Sequence, residues 1–488
     1  MSTSTEVGQG QPDRSFFGHP RGLANLFGIE MWERFSFYGM QAILTIYLYY
    51  EVAEGGLALP KDSATSVVGA YGGLVYLSTI VGAWFADRLL GRQRTLFYSA
   101  VLIMFGHISL AVLPGMAGVG VGLAAVGLGS GGLKGNATSL VGSLYAKEDE
   151  RRDAAFSIFY LGINLGAFVG QILTGLVQEE VGFHYGFGLA ALGMAIGLVQ
   201  YTLGRKNLSA DADVVSNPLP AARRPLAIAG ALVVVAAIVL LVVAGAITPA
   251  NLADVTLVVI IVAVIAYFTV ILTSKRITAV ERKRVFSFIP MFLASFVFFS
   301  LFQQQYTLVI IYADQRVDRG IFGWEMPVAW ANSFNPVFII LLAGVFAAMW
   351  TKLGSRQPST PIKFALGTIT IGIAYLVFLL FAGGTGNSTP LLILVLIMLI
   401  FTVGELMLSP VGLSLSTKLA PAAFRTQMVA LNFLSIALGS TMAGWLAGYY
   451  SVDNETPYFA LVGGASIAFG LLLVLMTPFI KKLMSGVR

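Results

Sequence analysis

The sequence predicts an all-α integral membrane protein that crosses the bilayer fourteen times, grouped as six helices, two and six. Composition is the first reason: 57% of residues are hydrophobic, 11% are charged and the mean hydropathy is +0.82, whereas a soluble domain carries about 25% charged residues. Spacing is the second, because the apolar residues fall into runs of about 20, the length that crosses a hydrocarbon core. The third is that Lys and Arg collect in alternate breaks between those runs. Together these exclude an ordinary globular enzyme. The net charge of +6 is spread over short loops and forms no patch of the kind nucleic acid needs. Cysteine is absent, and the three histidines (His19, His107, His184) are too scattered for a metal cluster, so no disulfide and no metal site are expected. A phosphate-binding G-x-x-x-x-G-K-[ST] loop is also missing, so ATP is not the expected energy source.

The stretch Met1 to His19 is polar, with no apolar core ahead of a small-residue cleavage site, and is not expected to be a signal peptide. Spans then fall near 26–50, 65–90, 94–115, 118–144, 153–178 and 182–203. The segment from Gly204 to Pro225, with Asp211, Asp213, Pro218 and Pro220, reads as a linker. Two spans near 225–246 and 254–273 are rich in Val, Ala, Ile and Leu, hold nothing with which to handle a solute, and are expected at the lipid-facing periphery. Six more follow near 285–312, 327–351, 361–382, 390–418, 425–450 and 456–480. The expected organisation is a cytoplasmic tail (1–25), a six-helix bundle (26–203), a linker with two further spans (204–284), a second six-helix bundle (285–482) and a cytoplasmic tail (483–488). With the N-terminus inside, the inner segments hold Arg14, Arg21, Arg88, Arg92, Arg94, Lys147, Arg151 and their counterparts onward to Lys481, Lys482 and Arg488. The outer segments hold only Lys61, Arg316 and Arg319. By the positive-inside rule both termini face the cytoplasm, and the chain is a multi-pass protein of the cell membrane.

A charge at membrane depth costs roughly 2.5–3.5 kcal/mol on insertion scales, so the charges inside spans mark a polar path. Glu30, Glu33 and Arg34 lie on one face of the first span, at i, i+3 and i+4, with Tyr38 and Gln41 continuing the stripe. Two acids against one cation leave a surplus carboxyl, the kind of group that takes up and releases a proton; a static salt bridge leaves that surplus unexplained. Lys134 stands alone in span four, and Glu405 is the deeply placed acid of the second half. Plainer readings hold elsewhere. His107 reads as a satisfied core histidine, Ser409-Pro410 as a kink, Phe296–Phe302 as packing, and the glycines at 127, 129, 131 and 132 as close helix contacts.

Five motifs, in order, resemble those of the proton-dependent oligopeptide transporter family, a branch of the major facilitator superfamily. Glu30-x-x-Glu33-Arg34-Phe35-x-Phe37-Tyr38-Gly39 resembles E-x-x-E-R-F-x-Y-Y-G, and Gly82 through Asp87-Arg88 to Gly91-Arg92 is similar to the superfamily's loop motif between spans two and three. Gly132-Leu133-Lys134-Gly135-Asn136 matches the lysine-bearing span four. Phe159-Tyr160-x-x-Ile163-Asn164-x-Gly166 resembles F-Y-x-x-I-N-x-G, and Gly404-Glu405-x-x-x-Ser409-Pro410-x-Gly412-Leu413 resembles G-E-x-x-x-S-P-x-G-L. The resemblance implies two six-helix bundles plus two extra central helices, and a proton-coupled symporter that imports di- and tripeptides by alternating access. Glu30, Glu33 and Arg34 would couple protons. Arg34 and Lys134 would meet the peptide carboxylate, Glu405 the amine, Asn164 and Asn335 the peptide backbone, and Tyr38 and Tyr76 would wall the pocket. Asp87 and Arg88 would form a conformational latch. No cofactor is implied, the proton gradient supplies the energy, and the carrier would act as a monomer in the bilayer.

The chain departs from the pattern in three places. Phe37 replaces the signature's first tyrosine; Phe302-Gln303-Gln304-Gln305 lacks the acid common in span seven, and Gln41 stands where many relatives carry its basic partner; Asn432 replaces a tryptophan in span eleven. Losing both members of the charged pair strands no charge, and a Gln41–Gln303 hydrogen bond could stand in for it. Asn432 makes the pocket more polar. The alternative on the same fold is a proton-coupled carrier of another small zwitterion, anion or drug-like compound, with which dipeptides would not compete.

Overall fold

The computed structural model describes residues 15–146, 149–208 and 213–487. Arg14, Lys147, Asp211 and Arg488, used above for orientation and for the linker, lie outside the described residues. The first bundle holds α1 (Arg21–Tyr49), α2 (Lys61–Phe85), α3 (Arg92–Val112), α4 (Gly115–Ser143), α5 (Arg151–Glu180) and α6 (Phe183–Gly204). After the linker come α7 (Arg224–Val243) and α8 (Leu252–Thr273). The second bundle holds α9 (Ala279–Phe302), α10 (Leu308–Arg316), α11 (Phe334–Leu353), α12 (Thr360–Phe378), α13 (Leu391–Lys418), α14 (Arg425–Ala447) and α15 (Glu455–Leu483). Thirteen helical stretches among the described residues are long and apolar enough to cross a membrane. The helix α1, 29 residues long, stands outside that set because Glu30, Glu33 and Arg34 interrupt its apolar run; it brings the spans to fourteen.

Within the first bundle α1 packs on α5 and α6, and α4 on α2 and α3; within the second, α12 packs on α13 and α15, and α14 on α9. The halves meet mainly where α2 lies along α14 and α5 along α11. Glycines allow the closest approaches. A Cβ at Gly82 would lie 2.4 Å from Gly132 Cα, and one at Gly131 would lie 2.0 Å from Ser78 Oγ, which accounts for the glycine run of α4.

Two elements differ from the sequence reading. The run 285–312 is not one helix: α9 stops at Phe302, Gln303–Tyr306 form a 3₁₀ turn, and Thr307 (φ −125°, ψ −85°) breaks the path before α10. Glutamine side chains stabilise the break, since Gln304 Nε2 donates to Ser300 O at 3.0 Å and Tyr458 OH donates to Gln304 Oε1 at 2.8 Å. The extra helices also behave differently from each other. No residue of α7 is buried, whereas α8 buries Ala253, Thr256, Leu257, Ile260, Val264 and Ile271 and packs against both α2 and α14. It braces the seam between the halves instead of lying at the periphery.

At the end of the second bundle away from the termini, Arg316 and Glu455 form an ion pair at 2.8 Å, each side chain 1% exposed. Arg316 also donates to the carbonyls of Phe381, Gly384 and Gly386, while Glu455 accepts from Tyr450 OH and Gly383 N. A pair so fully hydrogen-bonded overcomes its desolvation, and removing one partner strands a charge. Arg316→Met is expected to cost about 3–5 kcal/mol, read as a fall in the thermal unfolding midpoint in detergent. Adding Glu455→Leu is expected to restore most of the loss.

Candidate functional site

The first span brings its charges together. Arg34 Nε and Nη2 donate to Glu30 Oε1 at 2.8 and 2.5 Å, and Arg34 Nε lies 3.4 Å from Glu33 Oε2. Ser130, on α4, donates to Glu33 Oε1 at 2.8 Å. All three charged side chains are buried, and Glu30 Oε2 and Glu33 Oε2 have no hydrogen-bond partner among the described residues. The ammonium of Lys134, half-buried on α4, lies 4.3 Å from the Phe37 ring centroid and 5.1 Å from that of Tyr76. Phe37, one hydroxyl short of the family pattern, thus supplies an aromatic face to a cation. The four charges sum to zero: two carboxylates against a guanidinium and an ammonium.

Beside this cluster, a cavity of about 220 Å³ opens between the halves. Phe37, Tyr38 and Gln41 of α1, Tyr76 of α2, and Tyr160, Asn164 and Gln171 of α5 line it from one side. Gln303, Gln305 and Tyr306 of the broken span, Asn335 of α11, Glu405 and Ser409 of α13, and Asn432 of α14 line it from the other. Of the residues expected to meet a peptide, Tyr38, Tyr76, Asn164, Asn335 and Glu405 are therefore on the wall. Arg34 and Lys134 sit behind it, in contact through Tyr38, Phe37 and Tyr76. Asn335 Nδ2 donates to Glu405 Oε2 at 3.1 Å and to Thr402 Oγ1 at 3.0 Å, so it positions the carboxylate within the second half. Asn164 Nδ2 donates to Tyr160 O at 2.9 Å.

Gln303 and His107 depart from what the sequence suggests. Gln303 does not bond Gln41; its Nε2 donates to Ser440 Oγ at 3.0 Å, within its own half. His107 is fully buried, but neither ring nitrogen has a hydrogen-bond partner among the described residues, unlike the satisfied core histidine expected. Asp87 and Arg88 lie in a π-helical turn (Ala86–Leu90) at the end of α2, where they hold the linker: Asn217 N donates to Asp87 O and Leu219 N to Arg88 O, both at 2.9 Å. Gly91, with φ +77°, lets that linker close in, since a Cβ there would lie 2.4 Å from Asp213 O.

The cavity is closed at one end and open at the other. On the side away from the termini, Tyr49 OH and Tyr50 OH donate to the two carboxylate oxygens of Asp314 at 2.5 and 2.7 Å. Thr45 Oγ1 donates to Tyr306 O, and Trp330 Nε1 donates to Ile172 O at 3.0 Å. On the side of the termini, Tyr160 lines the cavity yet is 43% exposed. Sequence reasoning missed Tyr306, Gln171, Asp314 and the two tyrosines. Gln171 was findable, since it lies two helical turns from Asn164 on the same face; Tyr306 depends on the helix break, which no periodicity signals.

A membrane protein with two six-helix bundles, a charged cavity at their interface and one closed end has the architecture of a major facilitator transporter. The POT family's sequence profile matches residues 93–461, and the chain belongs to that family. It is 42% identical over 479 residues to the uncharacterized transporter YclF of Bacillus subtilis (strain 168), covering 98% of this chain and 97% of that one. It is 41% identical over 490 residues to the di-/tripeptide transporter of Lactococcus lactis subsp. lactis (strain IL1403), covering 98% and 99%. The crystal structure of a POT peptide transporter in complex with sulfate matches with a TM-score of 0.93 and 46% identity, over 97% of this chain and 98% of that one.

The closure identified here is testable. A hydrogen bond to a charged group contributes about 1.5–3 kcal/mol, so the double variant Tyr49→Phe with Tyr50→Phe is expected to open the end away from the termini. Spin-label distances between the Tyr50 end of α1 and the Arg316 end of α10 would lengthen in the variant.

Proposed function

We propose that the protein is a proton-coupled symporter that imports di- and tripeptides across the cell membrane by alternating access, with the proton gradient as its energy source and no cofactor. The observation that carries this reading is the neutral cluster of Glu30, Glu33, Arg34 and Lys134 beside a cavity whose far wall carries Glu405. A short peptide is a zwitterion, and the two halves offer charges of opposite sign for its two ends. When Arg34 or Lys134 engages the peptide carboxylate, the cluster gains a negative charge it cannot keep uncompensated at membrane depth. A proton on Glu30 or Glu33 restores neutrality. Substrate and proton therefore favour the same state of the carrier, which is the thermodynamic content of symport.

In this reading Glu405, held by Asn335, meets the amine, Asn164 serves the peptide backbone, and Tyr38 and Tyr76 form tolerant walls with polar tips. The positive-inside pattern places both termini in the cytoplasm. The closed end bearing Asp314 then faces outward, the end beside Tyr160 faces inward, and the conformation is inward-facing. The linker bound at Asp87 and Arg88 lies on the cytoplasmic face. The names of the relatives, which include a di-/tripeptide transporter, agree with the substrate class.

Uptake of labelled dialanine into proteoliposomes, with and without an inward proton gradient, tests the proposal. Accumulation stimulated by the gradient and abolished by Lys134→Ala is expected. Glu33→Gln is expected to lose accumulation against a gradient. Concentrative uptake that persists in Glu33→Gln would remove that carboxyl from the coupling step.

A further inference from the structure

The cavity wall one to two turns beyond Glu405 is built differently from the rest. Ser409 and Gly412 follow Glu405 along the same face of α13, and Asn432 faces them from α14. Asn432 is 7% exposed, and its carboxamide has no hydrogen-bond partner among the described residues; only its backbone carbonyl is engaged from outside the helical ladder, by Ser435 Oγ at 2.7 Å. Ser409 Oγ is likewise buried and unpartnered. A second hydroxyl pair adjoins them, Ser295 Oγ and Ser435 Oγ at 2.7 Å. The space is short: a Cβ at Gly412 would lie 3.0 Å from Asn432 Oδ1 and 3.7 Å from the Phe364 ring, so glycine leaves a recess with a hard floor.

Buried polar groups without partners are uncommon, and each calls for an explanation. Here one such group, Ser409 Oγ, shares a recess with the unpartnered Asn432 carboxamide on the cavity wall, next to the carboxylate that receives the substrate amine in the reading above. We propose that Ser409, Gly412 and Asn432 form a side-chain subsite for the residue at the amino end of the peptide, and that this subsite takes a short, uncharged hydrogen-bonding side chain, a hydroxyl or a carboxamide. Asn432 offers both a donor and an acceptor, and Ser409 a hydroxyl that serves as either. A large apolar side chain in the recess would exclude water from both groups without replacing its hydrogen bonds, and a site built to pair polar groups discriminates most strongly against such a ligand. Glu405 beside the recess disfavours an acidic side chain. Alanine leaves room for water to bridge the two groups and falls between the extremes.

This inference rests on the peptide-transport reading, and competition experiments separate the two. Inhibition of labelled dialanine uptake is measured with Asn-Ala, Ser-Ala, Leu-Ala and Phe-Ala in the wild type, in Asn432→Leu and in Ser409→Ala. The half-inhibitory concentration of Asn-Ala and Ser-Ala is expected to be about tenfold below that of Leu-Ala. Asn432→Leu is expected to abolish or invert that ratio, and Ser409→Ala, the milder change, to reduce it. Equal inhibition by all four dipeptides, or a wild-type ratio that neither variant moves, overturns the subsite while leaving peptide transport standing. Failure of every dipeptide to compete or be taken up, by protein shown to be folded, removes the reading beneath it as well.

Discussion

Two carboxylates, one guanidinium and one ammonium share a small volume inside the first bundle, and the rest of the molecule is arranged around their neutrality. Separately, four charges at membrane depth would cost on the order of 10 kcal/mol. Together, with Glu30 and Glu33 flanking Arg34, Ser130 on one carboxylate and the rings of Phe37 and Tyr76 over Lys134, they cancel. The balance has no margin: any fifth charge that engages one member must be answered by a proton or by a counter-charge. In the proposed function, this constraint is what would turn a binding site into a coupling site. It also explains why the cluster stands behind the cavity wall and not in open water, where dielectric screening would dissolve the dependence.

The second half answers with Glu405, the one acid on the cavity wall among the described residues, and with a break. Glu405 is steadied by Asn335, and the interruption between α9 and α10 brings Gln303, Gln305 and Tyr306 to the cavity. A short 3₁₀ segment within a helical span marks a position that can bend. Just above it, Asp314 fastens α10 to the end of α1 through two tyrosine hydroxyls. The chain lacks a charged pair at positions 41 and 303, and hydroxyl–carboxylate bonds hold the two halves together at the end away from the termini. Such bonds strand no buried charge when water reaches them, which would suit the closure that the proposed transport cycle needs.

The spans, their grouping and the deep charges were legible because each is a local property: apolar length, loop charge, and an ionisable residue inside an apolar run. The residues of the first-span stripe were legible for the same reason, since helical spacing alone places Glu30, Glu33 and Arg34 on one face. What escaped depends on packing between elements far apart in sequence. The three glutamines at 303–305 sit in an apolar run that reads as one helix, and the place of Gln304 at its break depends on Tyr458 from α15. Two equally apolar spans, α7 and α8, read alike, yet only α8 finds α2 and α14 to pack against. Gln303 bonds Ser440 and not Gln41, and nothing in the sequence ranks those partners.

The central claim is that peptide binding and protonation of the first-span cluster are one event. Calorimetric titration of the purified protein with dialanine, repeated in buffers of different ionisation enthalpy, measures proton uptake on binding directly. Net proton uptake is expected in the wild type and its loss in Glu33→Gln. Dialanine binding with no proton uptake across the pH range where the protein is folded would contradict it.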